Sequence, residues 1–367
     1  MTVVTNAPTE KVSPSIFSLI TSMEHEQVMF CYDKATELKA IIAIHNTILG
    51  PALGGTRFWN YAKEEDALID AMRLSRGMTY KAAITGLHLG GGKAVLIGDS
   101  RRDKTEALFR RYGKFVNSLN GKYITAEDVG TSSRDMEWIG RETKFVTGLP
   151  EYLGGGGDPS PFTAFGVYMG MKASAKEVYG NDSLKGKKVV VQGVGHVGEH
   201  LVDYLVKEGA DVIITDIYED RVAVVAKQYN VKTAAVEEEY ELDVDIYAPC
   251  ALGATVNDDT IDKFKCHIIC GAANNQLKDE KKHGAMLVER GILYAPDYVI
   301  NAGGLINVAA EWETYNRDRV QSDCERIYDR TREIFKYAKE KNIPTYKAAN
   351  ELAEERIKSI AALNSKR

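Results

Sequence analysis

The chain has 367 residues, of which 44% are hydrophobic and 27% are charged, a length and composition expected of two globular domains. Its formal net charge is −5 and its Lys and Arg residues are scattered, so neither nucleic acid nor an anionic membrane is an expected partner. No window approaches the ~18 consecutive apolar residues of a membrane-spanning helix, which leaves a small molecule as the expected partner.

The amino terminus and the cysteines predict a protein that stays in the reducing cytoplasm. Residues 1–20 lack the apolar core and small-residue cleavage site of an export signal. None of the five cysteines belongs to a C-x-x-C pair, and an odd number argues against a disulfide framework. Cys266 and Cys270 lack partner ligands for zinc, so no metal site is expected.

From about residue 38, β-rich runs alternate with amphipathic helical stretches, which is the pattern of an α/β fold. Helices are predicted at Glu64–Arg76 and Thr105–Leu119, the second with Asp103 and Glu106 as a capping box. The strands predicted in this half are Ala40–His45, Ala94–Ile97, Tyr123–Ala126 and Phe145–Thr147.

The segment LGGGGDPSP predicts a boundary or hinge between two domains. Gly154–Gly157 and the two prolines that follow combine free backbone with missing N–H donors, which no regular element accommodates. We therefore predict a first domain at residues 1–150 and a second at residues 151–334. The helices of about 335–367 are expected to pack back on the first domain.

The second half begins with a predicted helix from Pro161 to about Tyr179, capped by Ser160. The sequence KKVVVQGVGHVGEHLVDYLVKEGADVIITD then reads as strand, glycine turn, helix and strand, which is one βαβ unit. Further strands that continue a parallel sheet are predicted at Asp245–Ala248, Ile268–Ile269 and Ile292–Tyr294, before a mainly helical Val320–Arg367.

The βαβ unit carries a dinucleotide-binding signature, G-x-G-x-x-G, between its strand and its helix. Gly193 permits the tight turn, Gly195 lets backbone approach a pyrophosphate, and Gly198 lets helix and strand pack closely. The helix N-terminus supplies N–H donors to the anion. The alternative is a tight turn without a ligand. The predicted cofactor contacts are Gly193, Val194, Gly195, His196, Val197, Gly198 and Asp216.

Asp216 ends the second strand of this unit and predicts which dinucleotide binds. Its carboxylate would accept hydrogen bonds from the adenosine ribose hydroxyls and would repel a 2′-phosphate, which favours NAD over NADP. Arg221 is near enough in sequence to leave NADP open. The side chain of His196 is expected to face solvent and not to act in catalysis.

Two lysines lie inside apolar, glycine-rich sequence of the first half. Lys81 and Lys93 would be costly to bury without a function, and Lys93 follows three glycines before the strand Ala94–Ile97. Glycines at a strand edge let backbone approach a ligand. The alternative is that both side chains extend along the surface to solvent.

The chain resembles the glutamate/leucine/phenylalanine/valine dehydrogenase family in GPALGGTRFW (50–59), RLSRGMTYKAAITGLHLGGGKAVLIGD (73–99), KYITAEDVGT (122–131), GAANNQLK (271–278) and YAPDYVINAGGLINVA (294–309). The resemblance covers nearly the whole chain. It implies an α/β protein in which a cleft separates an N-terminal substrate-binding and oligomerisation domain from a Rossmann-type dinucleotide-binding domain. It also implies a homo-oligomer, commonly an octamer in the members that act on leucine.

The resemblance assigns Lys81 to the substrate α-carboxylate, Lys93 to general base and Asp128 to proton transfer. Burial and the neighbouring Lys81 cation are expected to lower the pKa of Lys93, as a base near neutral pH requires. The implied reaction is NAD-dependent oxidative deamination of a branched aliphatic L-amino acid, leucine first, to 2-oxo acid, ammonia and NADH. Hydride leaves the α-carbon, and Lys93 then activates the water that attacks the iminium.

The resemblance also assigns backbone contacts to Gly54 and Gly55, a nicotinamide carboxamide contact to Thr163 and a cofactor contact to Asn275. Thr163 as a mere first-turn residue and Asn275 as a mere turn residue remain open. The implied side-chain pocket is lined by Leu53, Ala126, Leu305 and Val308, for which plain core packing is the alternative.

The implied pocket offers no partner for a γ-carboxylate, which disfavours glutamate as substrate. Leucine, isoleucine and valine differ by single methylenes, so some promiscuity is expected among them. Two alternatives remain: a member of the family that acts on phenylalanine, and a catalytically silent NAD- or amino-acid-binding sensor on the same scaffold.

Overall fold

The computed structural model of the protein describes residues 15–364. Most of the amino-terminal segment considered above as an export signal, and the last three residues of the predicted carboxyl-terminal helices, lie outside the described residues. The strands are β1 Gln27–Asp33, β2 Leu38–Asn46, β3 Ala52–Trp59, β4 Gly90–Ile97, β5 Tyr123–Glu127, β6 Lys188–Gln192, β7 Asp211–Thr215, β8 Lys232–Thr233, β9 Ile246–Pro249, β10 Ile268–Ile269 and β11 Leu293–Tyr294. The α-helices are α1 Ile16–Ser22, α2 Glu64–Ile84, α3 Glu106–Ser118, α4 Ser133–Gly140, α5 Ser160–Tyr179, α6 His196–Glu208, α7 Glu219–Tyr229, α8 Glu280–Glu289, α9 Asp297–Ile300, α10 Gly303–Trp312, α11 Arg317–Glu325, α12 Ile327–Lys341 and α13 Thr345–Asn364.

The first five strands form a mixed sheet in the order β1-β2-β4-β3-β5. β2 runs antiparallel to both β1 and β4, whereas β3 is parallel to both β4 and β5. Successive side chains of a strand point to opposite faces, so Ile41 and Ala43 of β2 pack in one core with Met72 of α2, and Ile42 and Ile44 in another with α3. The sheet is therefore covered by helices on both faces.

The structure corrects several predictions in this half. The strands β1 and β3 were not predicted. For β3 the reason is its Gly54-Gly55 pair, since glycine has low strand propensity. β4 begins at Gly90 and not at Ala94, and α2 continues past Arg76 to Ile84. Phe145–Thr147 is not a strand, since it contributes only an isolated bridge to β5.

The predicted helix caps are also wrong. The N-cap of α3 is Thr105, whose hydroxyl accepts a hydrogen bond from the amide of Leu108 at 3.2 Å. Asp103 accepts from the amide of Asp99 at 2.7 Å and closes a loop before the helix. Helix α5 begins one residue earlier than predicted, with Pro159 at the N-cap, so Ser160 is the first helical residue and not its cap.

The other six strands form a parallel sheet in the order β11-β10-β9-β6-β7-β8. Its central strands are buried on both sides: Val189 and Val191 of β6 contact the core beneath α5 and α6, and Val190 packs in a second core. The predicted α/β class, with a Rossmann-type parallel sheet following a separate first sheet, is confirmed. Within residues 15–364 no helix is both long and apolar enough to cross a membrane.

The carboxyl-terminal helices contact α2. Ala349 and Ala353 of α13 share a buried cluster with Ala83 of α2 and Ile334 of α12. The guanidinium of Arg356 donates hydrogen bonds to the carbonyls at the carboxyl end of α2, the closest at 2.8 Å. A cation at this end also interacts favourably with the helix dipole. These contacts hold the helix that carries Lys81 between the first sheet and the end of the chain.

Helix α2 approaches β4 closely because β4 begins with three glycines. A Cβ built on Gly91 would lie 2.1 Å from the amide nitrogen of Thr79 and 2.4 Å from the carbonyl oxygen of Ser75. These are backbone atoms of α2 that cannot move without moving the helix. The glycine at this position is therefore a packing requirement.

We expect Gly91→Ala to lower the free energy of unfolding by at least about 1–3 kcal/mol, because the new methyl group forces α2 away from β4. Gly77 provides the matched control, since its Cβ would meet nothing within 4 Å on the exposed side of α2. Gly77→Ala should instead stabilise by up to about 1 kcal/mol through helix propensity. Urea unfolding followed by circular dichroism measures both, and equal effects of the two variants would contradict the packing argument.

Candidate active site

The predicted catalytic lysine lies on the face of the first sheet that is turned toward α2. Lys93 has the same strand parity as Val95, which packs against that helix. Lys93 is only 6% exposed, and its ammonium forms a close ion pair with Asp128, which directly follows β5. Burial places this charge pair where solvent screens it weakly.

Asp128 receives a second cation from β3. Nε of Arg57 lies 3.5 Å from the same carboxylate oxygen that contacts Lys93. Burial opposes ionisation of Asp128, but the positive charges of Lys93 and Arg57 outweigh it and lower the pKa of this carboxyl below its usual value. The carboxylate is therefore ionised at neutral pH.

Gly54 and Gly55 let the strands that carry these groups approach one another. A Cβ on Gly54 would lie 1.7 Å from the carbonyl oxygen of Gly92, and one on Gly55 would lie 2.7 Å from Cβ of Asp128. The hydroxyl of Tyr123 also donates to the Gly54 carbonyl at 2.6 Å. Any side chain at these two positions would displace either β4 or Asp128.

Lys81 is brought to the same face by the last turn of α2. Its ammonium donates to Oδ1 of Asn301 at 2.6 Å. Nδ2 of Asn301 in turn donates to the carbonyl of Ala272 at 3.0 Å and to Oδ1 of Asn274 at 2.8 Å. Asn301 thus connects the lysine of the first half to the GAANNQLK segment of the second half. Sequence reasoning gave it no role, although it is a lone amide in the apolar run YVINAGG.

Burial lowers the pKa of Lys81 to about 8; the carboxylate of Asp297 opposes this shift and the like charge of Lys93 adds to it. The like charges of the two lysines therefore interact, and this interaction contributes to the lowered pKa of Lys81. A lysine held near its titration point is a sensitive receptor for an anion, because a bound carboxylate restores its proton.

Lys81 makes the free energy of unfolding vary with pH in the alkaline range. Below pH 8 Lys81 is charged in the folded protein, and its burial lowers the free energy of unfolding. Between pH 8 and 10.5 the unfolded chain binds this proton more tightly than the folded protein does, so the free energy of unfolding rises with pH. Relative to Lys81→Met, the parent should gain on the order of 1–3 kcal/mol across this range. Denaturant unfolding at pH 7.5 and 10 measures the difference, with the exposed Lys114→Met as control. A parallel pH dependence of the parent and Lys81→Met would contradict the assignment.

Three of the four predicted pocket residues share one apolar cluster. Leu53 of β3 contacts the same cluster as Leu305 and Val308 of α10, so the two halves of the chain meet there. Ala126 is buried on β5 as the register partner of Gly55. The further members of this cluster are Met78, Ala82, Leu87, Leu89, Ile124, Ala309 and Trp312.

The glycine motif forms a tight turn from β6 into α6. Gly193 has φ +91°, a conformation that favours glycine, and a Cβ on Gly198 would lie 2.0 Å from its carbonyl oxygen. Gly195 is exposed and a Cβ there would meet nothing within 4 Å, so there is open space at the helix N-terminus. No side chain caps this end, which leaves its amides directed at that space. The turn therefore fits a dinucleotide pyrophosphate.

Asp216 lies beside this turn. Its Oδ2 accepts a hydrogen bond from the amide of Val194 at 2.8 Å, which fixes the carboxylate at the end of β7. Arg221 donates to the carbonyl of Val194 and pairs with Glu199 at 3.3 Å. The guanidinium is thus engaged by groups of the protein. His196 is exposed at the start of α6, and Val197 follows it in the first turn.

The remaining two predicted cofactor contacts lie in local turns. The hydroxyl of Thr163 donates to the Pro159 carbonyl at 3.0 Å in the first turn of α5, and a Cβ on Gly304 would lie 2.6 Å from that hydroxyl. Asn275 has φ +53°, and its carbonyl accepts from the amide of Ala254 at 2.7 Å. Both residues therefore have a structural role in their local turns.

Comparison with known proteins agrees with this architecture. The sequence model of the family Glu/Leu/Phe/Val dehydrogenase, dimerisation domain, matches residues 25–145. The sequence model of the family Glutamate/Leucine/Phenylalanine/Valine dehydrogenase matches residues 154–217 and 214–364. The chain is 55% identical to leucine dehydrogenase of Geobacillus stearothermophilus, with 95% of each chain covered. It is 49% identical to phenylalanine dehydrogenase of Caldalkalibacillus thermarum, with 93% of this chain and 94% of that protein covered.

A solved structure has the same overall fold. The crystal structure of L-tryptophan dehydrogenase from Nostoc punctiforme superimposes with a TM-score of 0.86 at 45% sequence identity, covering 95% of this chain and all of that one. Matches to both family domains, together with extensive identity over nearly the whole length, leave no other assignment. The chain belongs to the glutamate/leucine/phenylalanine/valine dehydrogenase family.

Proposed function

We propose that this protein catalyses the reversible NAD-dependent oxidative deamination of L-leucine and other branched aliphatic L-amino acids. The observation that carries the proposal is the buried pair of Lys93 and Asp128 on the same sheet face as Lys81, beside an apolar cluster. A cation for the α-carboxylate, a base with its partner and a hydrocarbon surface are what this reaction requires. The strong similarity to leucine dehydrogenases supports the substrate.

In this proposal Lys81 binds the substrate carboxylate, and the amide of Asn301 orients the ammonium of Lys81. Lys93 acts as the general base that takes a proton from the attacking water, and Asp128 moves protons to and from the amino group. Gly54 and Gly55 offer backbone to the substrate where no side chain intervenes. Overall, the amino acid, NAD⁺ and water give the 2-oxo acid, ammonium, NADH and one proton.

The residues of the glycine turn fit NAD. Members of this family use NAD(P), and the bound nicotinamide supplies the hydride acceptor for the α-carbon. The α6 N-terminus would hold the pyrophosphate, and Asp216 would hold the ribose hydroxyls and repel a 2′-phosphate. Arg221 is already paired with Glu199, which supports NAD over NADP. Thr163 is the proposed contact to the nicotinamide carboxamide, and Asn275 is a further proposed cofactor contact.

The apolar cluster supports an aliphatic substrate side chain. We expect Leu305→Ala to enlarge the space next to Leu53 and to raise the ratio of kcat/KM for phenylalanine over leucine by about 10–100-fold. Steady-state kinetics on both amino acids measures this ratio. Leu287→Ala, which truncates a buried leucine in a different core, is the control for destabilisation alone. An unchanged ratio in Leu305→Ala would remove Leu305 from the pocket.

The assembly, the domain roles and the compartment belong to the same proposal. Residues 1–150, with the helices of about 335–367, would form the substrate-binding and oligomerisation domain, and residues 151–334 the NAD-binding domain. The family is oligomeric, and we propose a homo-octamer for this chain. All five cysteines are free thiols, which supports a cytoplasmic location.

The test is NADH formation by the purified protein, followed by absorbance with NAD and each of L-leucine, L-valine, L-phenylalanine and L-glutamate. Turnover greatest on leucine supports the proposal. Turnover greatest on phenylalanine would favour the second candidate, which the similarity to phenylalanine dehydrogenase keeps open. Dinucleotide binding without turnover on any of the four would indicate a silent sensor.

A further inference from the structure

A line of alternating charges continues from the catalytic pair toward the surface. Beyond Lys93 and Asp128, Arg57 of β3 places Nη1 2.8 Å from Oδ2 of Asp70 on α2. The hydroxyl of Tyr61 donates to the same oxygen of Asp70 at 2.6 Å. The order along the line is therefore cation, anion, cation, anion.

The four side chains are all largely shielded from solvent. The exposed fractions are 8% for Lys93, 22% for Asp128, 25% for Arg57 and 15% for Asp70. Arg57 and Asp70 also line a surface cavity of about 460 Å³ together with Trp59 and others. The inner end of the line is thus in the site, and the outer end reaches solvent through this cavity.

Arg57 is held by Asp70 and not by Asp128 alone. Its contact to Asp70 is the shorter one, whereas its Nε lies 3.5 Å from Asp128 and makes no hydrogen bond of its own. Asp70 has a further cation nearby, Arg73 at 3.7 Å, so it does not depend on Arg57 for charge compensation. Arg57 is therefore positioned from outside and acts inward as a fixed positive charge.

We infer that Arg57 is a positioning residue that, together with Asp70, sets the protonation state of the Lys93–Asp128 pair without touching the substrate. The inference rests on the proposed function for its catalytic consequence, but the electrostatic effect exists whatever the substrate is. Charges at these distances in partly buried surroundings perturb a neighbour by about one pH unit or more. The other ionisable groups that face the pair are Lys81 from α2 and Tyr123 from β5.

Two substitutions should shift the pKa values of the Lys93–Asp128 pair in opposite directions. Removal of the Arg57 cation raises the pKa of both Asp128 and Lys93, since a nearby positive charge disfavours a bound proton on either group. Removal of the Asp70 anion lowers both, because Arg57 is then less compensated. Opposite signs from two neighbouring residues are not expected if each substitution merely disturbs the fold.

The experiment measures the titration of Lys93 directly, by trace acetylation with acetic anhydride at a series of pH values and mass spectrometry of the peptide that contains Lys93. The variants are Arg57→Gln, Arg57→Lys and Asp70→Asn. Arg110→Gln, which removes a different ion pair from the same domain, is the matched control. The acid limb of kcat/KM for L-leucine is recorded in parallel.

We expect the labelling midpoint and the acid limb to move up by about one pH unit in Arg57→Gln. In Asp70→Asn both should move down, in Arg57→Lys most of the shift should be recovered, and in Arg110→Gln neither should move. Unmoved midpoints, or shifts of the same sign in Arg57→Gln and Asp70→Asn, would overturn the inference. If Arg57→Gln does not fold, an unmoved midpoint in Asp70→Asn alone overturns it. Absence of turnover in the parent would reject the proposed function, and labelling would still decide the role of Arg57.

Discussion

Replacing Lys93 with alanine should reduce kcat/KM for L-leucine by about 10²–10⁴-fold. The side chain is 8% exposed and its ammonium is paired with Asp128, so alanine removes the proposed base from beside its proposed proton-transfer partner. The glycine turn follows β6 of the parallel sheet, whereas Lys93 belongs to the mixed sheet, so NAD affinity should be unchanged. Steady-state NADH formation and calorimetric titration with NAD measure the two quantities.

Lys114→Ala is the matched control for that experiment. Lys114 belongs to α3 of the same domain, and its side chain is 59% exposed. It should retain the activity of the parent. Lys93→Ala leaves Asp128 with Arg57 as a cation partner, so the carboxylate is not left buried and unpaired. More than a tenth of the parental kcat/KM in folded Lys93→Ala would exclude Lys93 as the general base.

The parallel sheet could be predicted from sequence because its signals are local. The strand before Gly193, the glycine turn, the helix and the acidic residue at the end of β7 lie within about thirty residues, and each constrains the next. The mixed sheet has no such unit. The order of the mixed sheet places β4 between β2 and β3, so β3 pairs with strands that are distant in sequence. The Gly54-Gly55 pair also gives β3 a low strand propensity, so its sequence does not indicate a strand.

The same distinction separates the site residues that were predicted from those that were missed. Lys81, Lys93 and Asp128 stand in recognisable motifs. Asn301 lies 220 residues from the lysine to which it bonds. The role of Arg57 follows from its contacts with Asp70 and Asp128, which lie elsewhere in the fold. Such pairings arise from tertiary packing, which no spacing rule within a single sequence encodes.

The predicted hinge is held by a carboxylate. Glu311 of α10 accepts hydrogen bonds from the amides of Gly148 at 2.7 Å and Gly156 at 2.8 Å. The Tyr315 hydroxyl donates to the Gly156 carbonyl at 3.2 Å. Residues of the second half of the chain therefore bond to Gly148, before the glycine-rich segment, and to Gly156 within it, and closure about the predicted hinge would have to turn about these bonds or exchange them.

Asp128→Asn should reduce kcat/KM by about 10²–10⁴-fold and should also destabilise the fold. The substitution removes the carboxylate that compensates Lys93, so a cation remains buried with only an amide as its partner. We expect a loss of about 1–3 kcal/mol in the free energy of unfolding at pH 7, at the low end of what broken buried pairs cost because the carboxylate is 22% exposed.

The destabilisation by Asp128→Asn should depend on pH with a definite sign. The folded protein holds the pKa of Asp128 below its unfolded value, so its stabilisation is present above about pH 4 and is lost as the pH falls through the folded pKa. The stabilities of parent and variant should thus converge on acidification, which urea unfolding at pH 7, 5 and 3.5 would show.

The control for Asp128→Asn is a second buried carboxylate paired with a lysine in the same domain. Asp135 is 3% exposed in its side chain and lies 2.5 Å from Lys104. Asp135→Asn should lose stability in the same way, since Asp135 also closes the capping box of α4, but it should retain kcat on L-leucine. Equal losses of kcat in Asp128→Asn and Asp135→Asn would mean that the effect is structural and that Asp128 handles no proton.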